Sequence, residues 1–160
     1  MRIIAGSAGG RKLKAPDTKG TRPATDRVRE AVFSSIGQWV EGALVVDLYA
    51  GSGSFGLEAL SRGAADAAFV ENGRKALAAL RSNVETVGLG GSVIATTVQE
   101  FLQRSETKFD LVFIDPPWPM PTEQLGEDLV LIDRLVQPGA EIVTSRRHTD
   151  NLLREINVVG

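Results

Sequence analysis

The stretch LVVDLYAGSGSFG, residues 44–56, decides the fold of this chain. Its apolar first half, residues 44–49, predicts a buried β-strand, and its glycine-rich second half predicts a loop that leads into a helix. Glycine lets the backbone approach a ligand without a clash from Cβ, and the helix behind the loop begins with free N–H groups. The stretch therefore predicts a strand, a ligand-binding loop and a helix in succession.

Strands and helices alternate along the rest of the chain. Further strands are predicted at 66–71, 92–96, 109–114 and 140–144, with a helix between each strand and the next. The last of these helices is predicted to run through Leu135 and Val136 and to stop at Pro138-Gly139. This alternation predicts an α/β fold of Rossmann-like type, with a mostly parallel central sheet and helices on both faces.

Length and composition fit one soluble domain, because 160 residues with 42% apolar and 24% charged residues match ordinary globular proteins. No apolar stretch is long enough for a membrane span, and the N-terminus lacks the apolar segment of a secretory signal. The chain has no cysteine, which excludes disulfides, thiolate metal sites and cysteine nucleophiles. We expect a cytoplasmic protein without a metal site and without a membrane partner.

The N-terminal segment is strongly basic. Residues 1–30 carry eight basic and three acidic residues, a net charge of +5, whereas the remaining residues carry a net charge of −7. This asymmetry is typical of contact with a polyanion, and a solvated basic surface is the alternative. Short strand candidates at 2–5 and 11–15 predict a β-hairpin arm at 1–24, followed by a body at 25–160 that is short at its C-terminus.

A helix is predicted to begin at Asp26, with Thr25 as its N-cap. Helical spacing predicts one buried stripe on it, formed by Val28, Ala31, Val32, Ser35 and Ile36.

Ligands of such sheets bind at the carboxyl ends of the strands, near the point where the strand order reverses. Asp47 lies at the first strand end, four residues before Gly51. A carboxylate there would repel a pyrophosphate but could hold an ammonium group, which favours S-adenosylmethionine (AdoMet) over a dinucleotide cofactor or a purely structural turn. Glu71 ends the second strand and is placed to accept hydrogen bonds from ribose hydroxyls, unless it is a solvated loop carboxylate.

Two more strand ends carry candidate residues. After the third strand, Thr97 and Val98 would lie near an adenine ring, unless they form an uninvolved surface turn. After the fourth strand comes Asp115-Pro116-Pro117-Trp118, a stiff turn in which two prolines remove N–H donors. The Asp115 carboxylate and the Pro116 carbonyl can accept both protons of a nucleobase amine, while Trp118 stacks on a flipped base. A structural turn with a buried Trp and a capping Asp is the alternative.

These motifs resemble a known family. AGSGSFGLEALSRGA with DPPW resembles the class I AdoMet-dependent amino-methyltransferases. RIIAGSAGGRKLKAP and RPATDRVREAVFSSI resemble the bacterial 16S rRNA (guanine-N2)-methyltransferases of the RsmD type, and the likeness runs from Arg2 to about Ser145. The resemblance implies methyl transfer from AdoMet to a guanine amine of 16S rRNA, within the small ribosomal subunit or an assembly intermediate, by a monomer.

The resemblance also implies roles for individual residues. The target-base turn, which we take as the catalytic residues, comprises Asp115, Pro116, Pro117 and Trp118. The cofactor would be held by Asp47, Tyr49, Gly51, Gly53, Glu71, Asn72, Thr97, Val98 and Asp115. RNA would be bound by Arg2, Arg11, Lys12, Lys14, Arg22, Arg27 and Arg29, although the basic residues at 22–29 could instead pair with Asp26 and brace the arm.

Three features depart from the family pattern. Trp118 replaces the more usual Tyr or Phe, and Thr97 stands where many relatives of the fold carry an acidic or amide group. The chain stops at Gly160, where family members continue into further strands. An adenine-amine methyltransferase of DNA or RNA, or an inactive module that binds AdoMet and RNA, is therefore kept as an alternative. His148, in a basic run, suits a surface or RNA-facing position better than a catalytic one.

The stacking hypothesis for Trp118 predicts a graded effect of its substitution. Trp118→Phe retains an aromatic face and should keep substantial methyl-transfer activity, whereas Trp118→Ala should keep little, because base stacking contributes about 1–3 kcal/mol. The measurement is the transfer rate at saturating AdoMet and RNA. Equal rates for the two variants would leave Trp118 without a stacking role.

Overall fold

A computed structural model describes residues 1–16, 24–116, 122–146 and 151–158 of the chain. The helices are α1 (Asp26–Ile36), α2 (Ser54–Ser61), α3 (Arg74–Val87), α4 (Val98–Arg104) and α5 (Thr122–Ile132). The strands are β1 (Leu44–Leu48), β2 (Asp66–Glu71), β3 (Ser92–Ala95), β4 (Phe109–Ile114), β5 (Val136–Arg146) and β6 (Asn151–Val158). Short 3₁₀ turns follow α1, at Gly37–Val40, and α5, at Asp133–Leu135.

The strands form one sheet in the order β3-β2-β1-β4-β5-β6. The first five strands in this order are parallel, and β6 pairs antiparallel with β5. The chain runs outward from β1 to β3 and then returns to the other side of β1 at β4, so the strand order reverses between β1 and β4. The predicted α/β fold with a mostly parallel sheet is confirmed.

Two apolar clusters cover the two faces of the sheet. On one face, α1, α2 and α3 pack on the sheet through residues such as Val32, Phe55 and Leu80. On the other face, α4 and α5 contribute Phe101 and Ile132. Because right-handed crossovers place consecutive helices on one face until the strand order reverses, this division follows from the topology.

The boundary between α5 and β5 differs from the prediction. The helix ends at Ile132, and β5 begins at Val136 instead of residue 140. Val136 pairs with Phe109, and the register of β4 against β5 shifts between Phe109 and Leu111. The apolar pair at 135–136 suits either a helix or a buried strand, and here pairing with β4 decides for the strand.

The start of α1 agrees with the prediction, and its buried stripe agrees in part, since Val32 and Ile36 are buried and Val28 packs against the core. The Thr25 hydroxyl accepts a hydrogen bond from the N–H of Val28 at 3.2 Å, which confirms the N-cap. The buried residues of α1 are Arg29, Val32, Phe33 and Ile36, whereas the predicted Ala31 and Ser35 are exposed. The buried face is rotated relative to the predicted one because it includes Arg29, a charged residue that a search for apolar residues does not select.

The N-terminal arm is less regular than predicted and is packed on the body. Instead of two strands it has one antiparallel bridge, between Arg2 and Lys12. Ile3, Ala8 and Leu13 belong to the same apolar cluster as α1 and α2. Gly6 approaches α2 so closely that a Cβ there would lie 1.9 Å from the carbonyl oxygen of Ser61. The division of the chain at residues 24 and 25 stays a prediction.

A buried ion pair joins the arm to α1 and α2. Glu58 of α2 and Arg29 of α1 are both 0% exposed, and Nη1 of Arg29 lies 3.1 Å from Oε1 of Glu58. The Glu58 carboxylate also accepts the N–H groups of Ile4 and Ala5, at 2.9 and 3.1 Å. Arg29 Nη2 in turn donates to the carbonyl of Arg2 and pairs with Asp26. This cluster accounts for two charged residues of RPATDRVRE, Asp26 and Arg29.

The sheet continues past β5. Residues 151–158 form β6, a strand that the sequence pattern does not predict, and its register runs from Ala140 opposite Val158 to Arg146 opposite Asn151. Within the described residues, β5 is therefore an interior strand of the sheet.

Removal of the buried guanidinium should destabilise the fold strongly. Arg29→Ala leaves the Glu58 carboxylate buried with one cation fewer, and breaking such a pair costs about 3–5 kcal/mol. Arg27→Ala, on the exposed side of the same helix, is the control and should change stability by less than about 0.5 kcal/mol. Urea denaturation of both variants measures the difference, and equal free energies of unfolding would contradict this role of the pair.

Candidate active site

Three carboxylates meet at the carboxyl ends of neighbouring strands. Asp47 lies in β1, Glu71 ends β2, and Asp115 directly follows β4. Asp47 is 1% exposed, and its pKa is raised well above the ordinary value, chiefly by burial. Leu48 pairs with Val70 of β2 and with Ile114 of β4, so Glu71 and Asp115 each follow a strand that flanks β1. The negative charges of Asp115 and Glu71 raise the pKa of Asp47 further. The structure thus brings together three residues that the sequence analysis selected.

Glu71 organises the glycine loop. Its Oε1 accepts the N–H of Gly51 at 2.8 Å, and its Oε2 accepts those of Asn72 at 3.0 Å and Gly73 at 2.8 Å. The carboxylate therefore ties the loop after β1 to the start of α3. Oε1 accepts one of these three bonds and has capacity for a second, as the predicted ribose contact requires.

Asp47 fixes the next part of the same loop. Its Oδ2 accepts the N–H of Gly56 in the first turn of α2, at 3.0 Å. A carboxylate at a helix N-terminus is favourable because the free N–H groups there carry partial positive charge. Asp47 lies beneath the loop, so its predicted contact with an ammonium group stays a prediction.

The three glycines of the loop have different roles. A Cβ at Gly53 would lie 2.6 Å from Cδ1 of Leu80, and one at Gly56 would lie 2.3 Å from Cε1 of Phe69. These two glycines let α2 pack closely on the sheet and on α3. Gly51 has φ +57° and no atom within 4 Å of the position of a Cβ. The space beside Gly51 is open, as a loop that holds a ligand requires.

A polar network lies under the exits of β1 and β3. The Tyr49 hydroxyl donates to Oδ2 of Asp128 at 2.5 Å, and Gln99 Nε2 lies 3.0 Å from that hydroxyl and 3.1 Å from Oδ1 of Asp128. Gln124 Nε2 also donates to Oδ1 of Asp128, at 3.1 Å. Burial, followed by the hydrogen bond and charge of Asp128, raises the pKa of Tyr49. The predicted cofactor residue Tyr49 thus has its hydroxyl bound within the protein.

The segment after β3 begins α4. The Thr97 hydroxyl accepts the N–H of Glu100 at 3.1 Å and caps the helix, and Val98 is 3% exposed. These side chains have structural roles in the described residues, and their predicted position near adenine stays a prediction.

The target-base turn is only partly described. Asp115 is half-buried at the end of β4, and Pro116 after it is buried. Pro117 and Trp118 lie outside the described residues, so the predicted stacking face has no structural account here.

The basic residues of the arm and of α1 divide into two groups. Arg2, Arg11, Lys12, Lys14 and Arg27 are exposed, as contact with a polyanion requires. Arg29 is completely buried in its pair with Glu58, so the prediction that it binds RNA is wrong and the bracing alternative holds. Its position in a basic run made it look like a surface cation. Arg22 and His148 lie outside the described residues.

Sequence reasoning missed several side chains at the site. Asn83 of α3 exchanges two hydrogen bonds with the backbone of Lys14 and donates to the carbonyl of Ser52, which links the arm to the glycine loop. Asp128 of α5 was also missed, although it is completely buried. A lone carboxylate on the apolar side of a predicted helix is the one available signal, and it does not reveal partners far away in the sequence.

In the described ranges no three His, Cys, Asp or Glu side chains are grouped so as to hold a metal ion. Among the helices of the described chain, none has the length and apolar character needed to cross a membrane.

Comparison with known proteins assigns the family. A family model described as Conserved hypothetical protein 95 matches residues 1–159. The chain belongs to this family. It is 43% identical over 119 residues to Ribosomal RNA small subunit methyltransferase D of Escherichia coli (strain K12), a match that spans 74% of this chain and 60% of that protein. The corresponding Haemophilus influenzae methyltransferase D is 34% identical over 147 residues, which cover 89% of this chain and 76% of that protein.

A solved structure of similar sequence shares the fold. Hypothetical protein TTHA0928 of Thermus thermophilus superimposes with a TM-score of 0.81 at 34% identity, covering 90% of this chain and 84% of that one. The fold of this chain is therefore found in a solved structure of related sequence.

The raised pKa of Asp47 predicts a pH-dependent stability. The folded state holds a proton that the unfolded state releases above about pH 4, so the Asp47 carboxyl destabilises the fold increasingly as pH rises towards its raised pKa. Asp47→Asn retains an acceptor for Gly56 and cannot ionise. The free energy of unfolding of the variant minus that of the wild type should therefore increase with pH over this window.

Urea denaturation at a series of pH values measures this difference, and Glu41→Gln, an exposed position, controls for loss of one negative charge. A difference that stays constant from about pH 4 upward would contradict the burial of an ionisable Asp47.

Proposed function

We propose that this protein transfers a methyl group from AdoMet to the exocyclic N2 amine of a guanine in 16S rRNA of the small ribosomal subunit. The observation that carries the proposal is the position of Asp47, Glu71 and Asp115 at the carboxyl ends of three neighbouring strands, beside a glycine loop that is open at Gly51. The relatives of similar sequence, named ribosomal RNA small subunit methyltransferases, support the substrate class. The match covers 60% of the E. coli protein and not its whole length, so the activity of that protein is a proposal for this chain.

The residues of the site fit AdoMet. The open space at Gly51 leaves room for the cofactor where a side chain would intrude. Asp47 and its two acidic neighbours make a negative environment that a cationic ligand would relieve, because an opposite charge favours the ionised carboxylate. Glu71 would accept from the ribose hydroxyls, and Tyr49, Gly53, Asn72, Thr97 and Val98 complete the proposed set. When bound, AdoMet supplies a methyl group on a cationic sulfur that is already reactive.

The protein would contribute chiefly position and acceptors. The Asp115 carboxylate and the Pro116 carbonyl would accept the two protons of the target amine, which directs the nitrogen lone pair towards the cofactor side of the site. Pro116 and Pro117 have no N–H to compete for these acceptors. Trp118 would hold the flipped base by stacking. Alignment of this kind supplies several kcal/mol of the barrier reduction.

The exposed cations of the arm and of α1 would bind the RNA backbone. Arg2, Arg11, Lys12, Lys14 and Arg27 are available for phosphate contacts, which release counterions and give affinity without reading sequence. We expect the protein to act as a monomer in the cytoplasm, on the small subunit or an assembly intermediate.

The cofactor proposal predicts that two glycines of similar conformation differ in effect. Gly51 and Gly42 both have positive φ and open space at Cβ, so alanine costs each of them about 1–2 kcal/mol of backbone strain. Gly42 precedes β1, at the opposite end of the strand. Gly51→Ala should weaken binding of S-adenosylhomocysteine about tenfold or more, the equivalent of about 1.4 kcal/mol, and Gly42→Ala should not.

Calorimetry with S-adenosylhomocysteine makes this comparison. Equal affinities of the two variants would mean that Gly51 does not face the cofactor, and equal or tighter binding of NAD would overturn the choice of AdoMet.

The substrate proposal is tested by methyl incorporation from labelled AdoMet into unmodified small subunits, followed by mapping of the labelled base. Label on a guanine N2 supports it, whereas label on an adenine amine, or none, favours one of the alternative functions. Asp115→Ala should lower the rate by about 10²-fold or more, since misaligned reactants lose the benefit of orientation. The control is Asp133→Ala, an exposed aspartate after α5, which should retain the wild-type rate.

A further inference from the structure

The polar network around Asp128 joins three elements that border the proposed active site. Tyr49 follows β1, Gln99 lies in the first turn of α4 after β3, and Asp128 lies in α5, the helix that follows the target-base turn. Their contacts range from 2.5 to 3.1 Å and are separated by 29 to 79 residues in sequence. The network is thus a tertiary connection between α5 and the segments that follow β1 and β3.

Asp128, at the centre of this network, is buried, and its removal from water costs free energy that an apolar side chain would not. Asp128 is 0% exposed, and the hydrogen-bond donors described around it are the hydroxyl of Tyr49 and the amides of Gln99 and Gln124. A buried charge held by neutral donors is expensive to desolvate, and an apolar side chain would fill the space at lower cost. A carboxylate provides what an apolar group cannot, namely directional bonds to several elements at once.

The backbone conformation of Tyr49 also indicates that the network holds this residue in place. Its φ is +57°, and it is the only non-glycine residue with positive φ in the described part of the chain. This conformation costs about 1–2 kcal/mol for an L-residue, and such strain persists only where the surroundings impose it. Here the hydroxyl bond to Asp128 holds the side chain while the chain turns from β1 into the glycine loop.

We propose that Asp128 is a positioning residue for methyl transfer: through Tyr49 and Gln99 it holds the start of the cofactor loop and the start of α4 in a fixed position relative to α5. The inference rests on the proposed function. Asp128 does not touch the reacting atoms. It determines how the segments after β1 and β3 lie relative to α5, and a displacement of about 1 Å between reactants can cost about 10²-fold in rate.

The test uses Asp128→Asn, with Glu127→Gln as the matched control, an exposed neighbour on the same helix that loses the same charge. Asp128→Asn should lower kcat by about 10- to 100-fold while the KM for AdoMet changes little, because alignment and not affinity is lost. Glu127→Gln should keep the wild-type values. Tyr49→Phe should lower kcat to a similar extent, and the double variant should be no worse than either single one, because both remove one connection.

A second readout does not depend on activity. Tyr49 is the only tyrosine of the chain, so tyrosinate absorbance at high pH reports this residue alone. Because the hydrogen bond and charge of Asp128 both raise the pKa of Tyr49, Asp128→Asn should titrate at lower pH than the wild type, and Glu127→Gln should not. If Asp128→Asn does not fold, Gln99→Ala removes a neutral member of the network and should show the same loss of kcat.

The outcomes separate this inference from the proposed function. A wild-type protein that methylates no RNA refutes the proposed function. An active wild type together with a folded Asp128→Asn variant of normal kcat overturns the positioning role alone, as do losses that multiply in the double variant. An unchanged tyrosine titration in Asp128→Asn would show that the network itself does not form.

Discussion

The buried contact between Arg29 and Glu58 is the interaction on which the arrangement of this protein depends. Removing both charges from water costs several kcal/mol for each ion, and this cost is offset only when every partner is in place. The partners come from three parts of the chain, because Glu58 accepts from Arg29, from Arg62 and from the N–H groups of Ile4 and Ala5. The pair therefore requires α1, α2 and the arm to be assembled together.

Helix α2 extends this constraint to the active site. In its first turn, the N–H of Gly56 donates to Asp47. In its second half, Glu58 and Ser61 accept hydrogen bonds from the backbone of the arm. Asn83 makes a parallel connection, since its side chain binds both Lys14 of the arm and Ser52 of the glycine loop. Both α2 and Asn83 of α3 thus connect the arm, which is proposed to bind RNA, with the glycine loop, which is proposed to bind the cofactor.

Local patterns were enough to predict most of the fold and the centre of the site. The strand runs, the glycine loop and the Thr25 cap depend on neighbouring residues, and the carboxylates at the strand ends follow once a parallel sheet is assumed. The burial of Arg29 was not predictable in this way, because its partner lies 29 residues away and an unpaired arginine looks like a surface cation. Asp128 was missed because its partner Tyr49 is 79 residues away in the sequence. The start of β5 was misplaced because it depends on pairing with β4.

The separation in sequence between the arm and its partners has a consequence for biosynthesis. The arm is made first, but Glu58 follows Ile4 by 54 residues, and Asn83 follows Lys14 by 69. At about 5–20 residues per second, the arm waits several seconds before its binding surface exists. Contacts over such separations also form late, because the intervening loop must close first. The arm therefore leaves the ribosome before its partners are made, and until it docks its cations and the apolar side chains of Ile3 and Leu13 remain exposed.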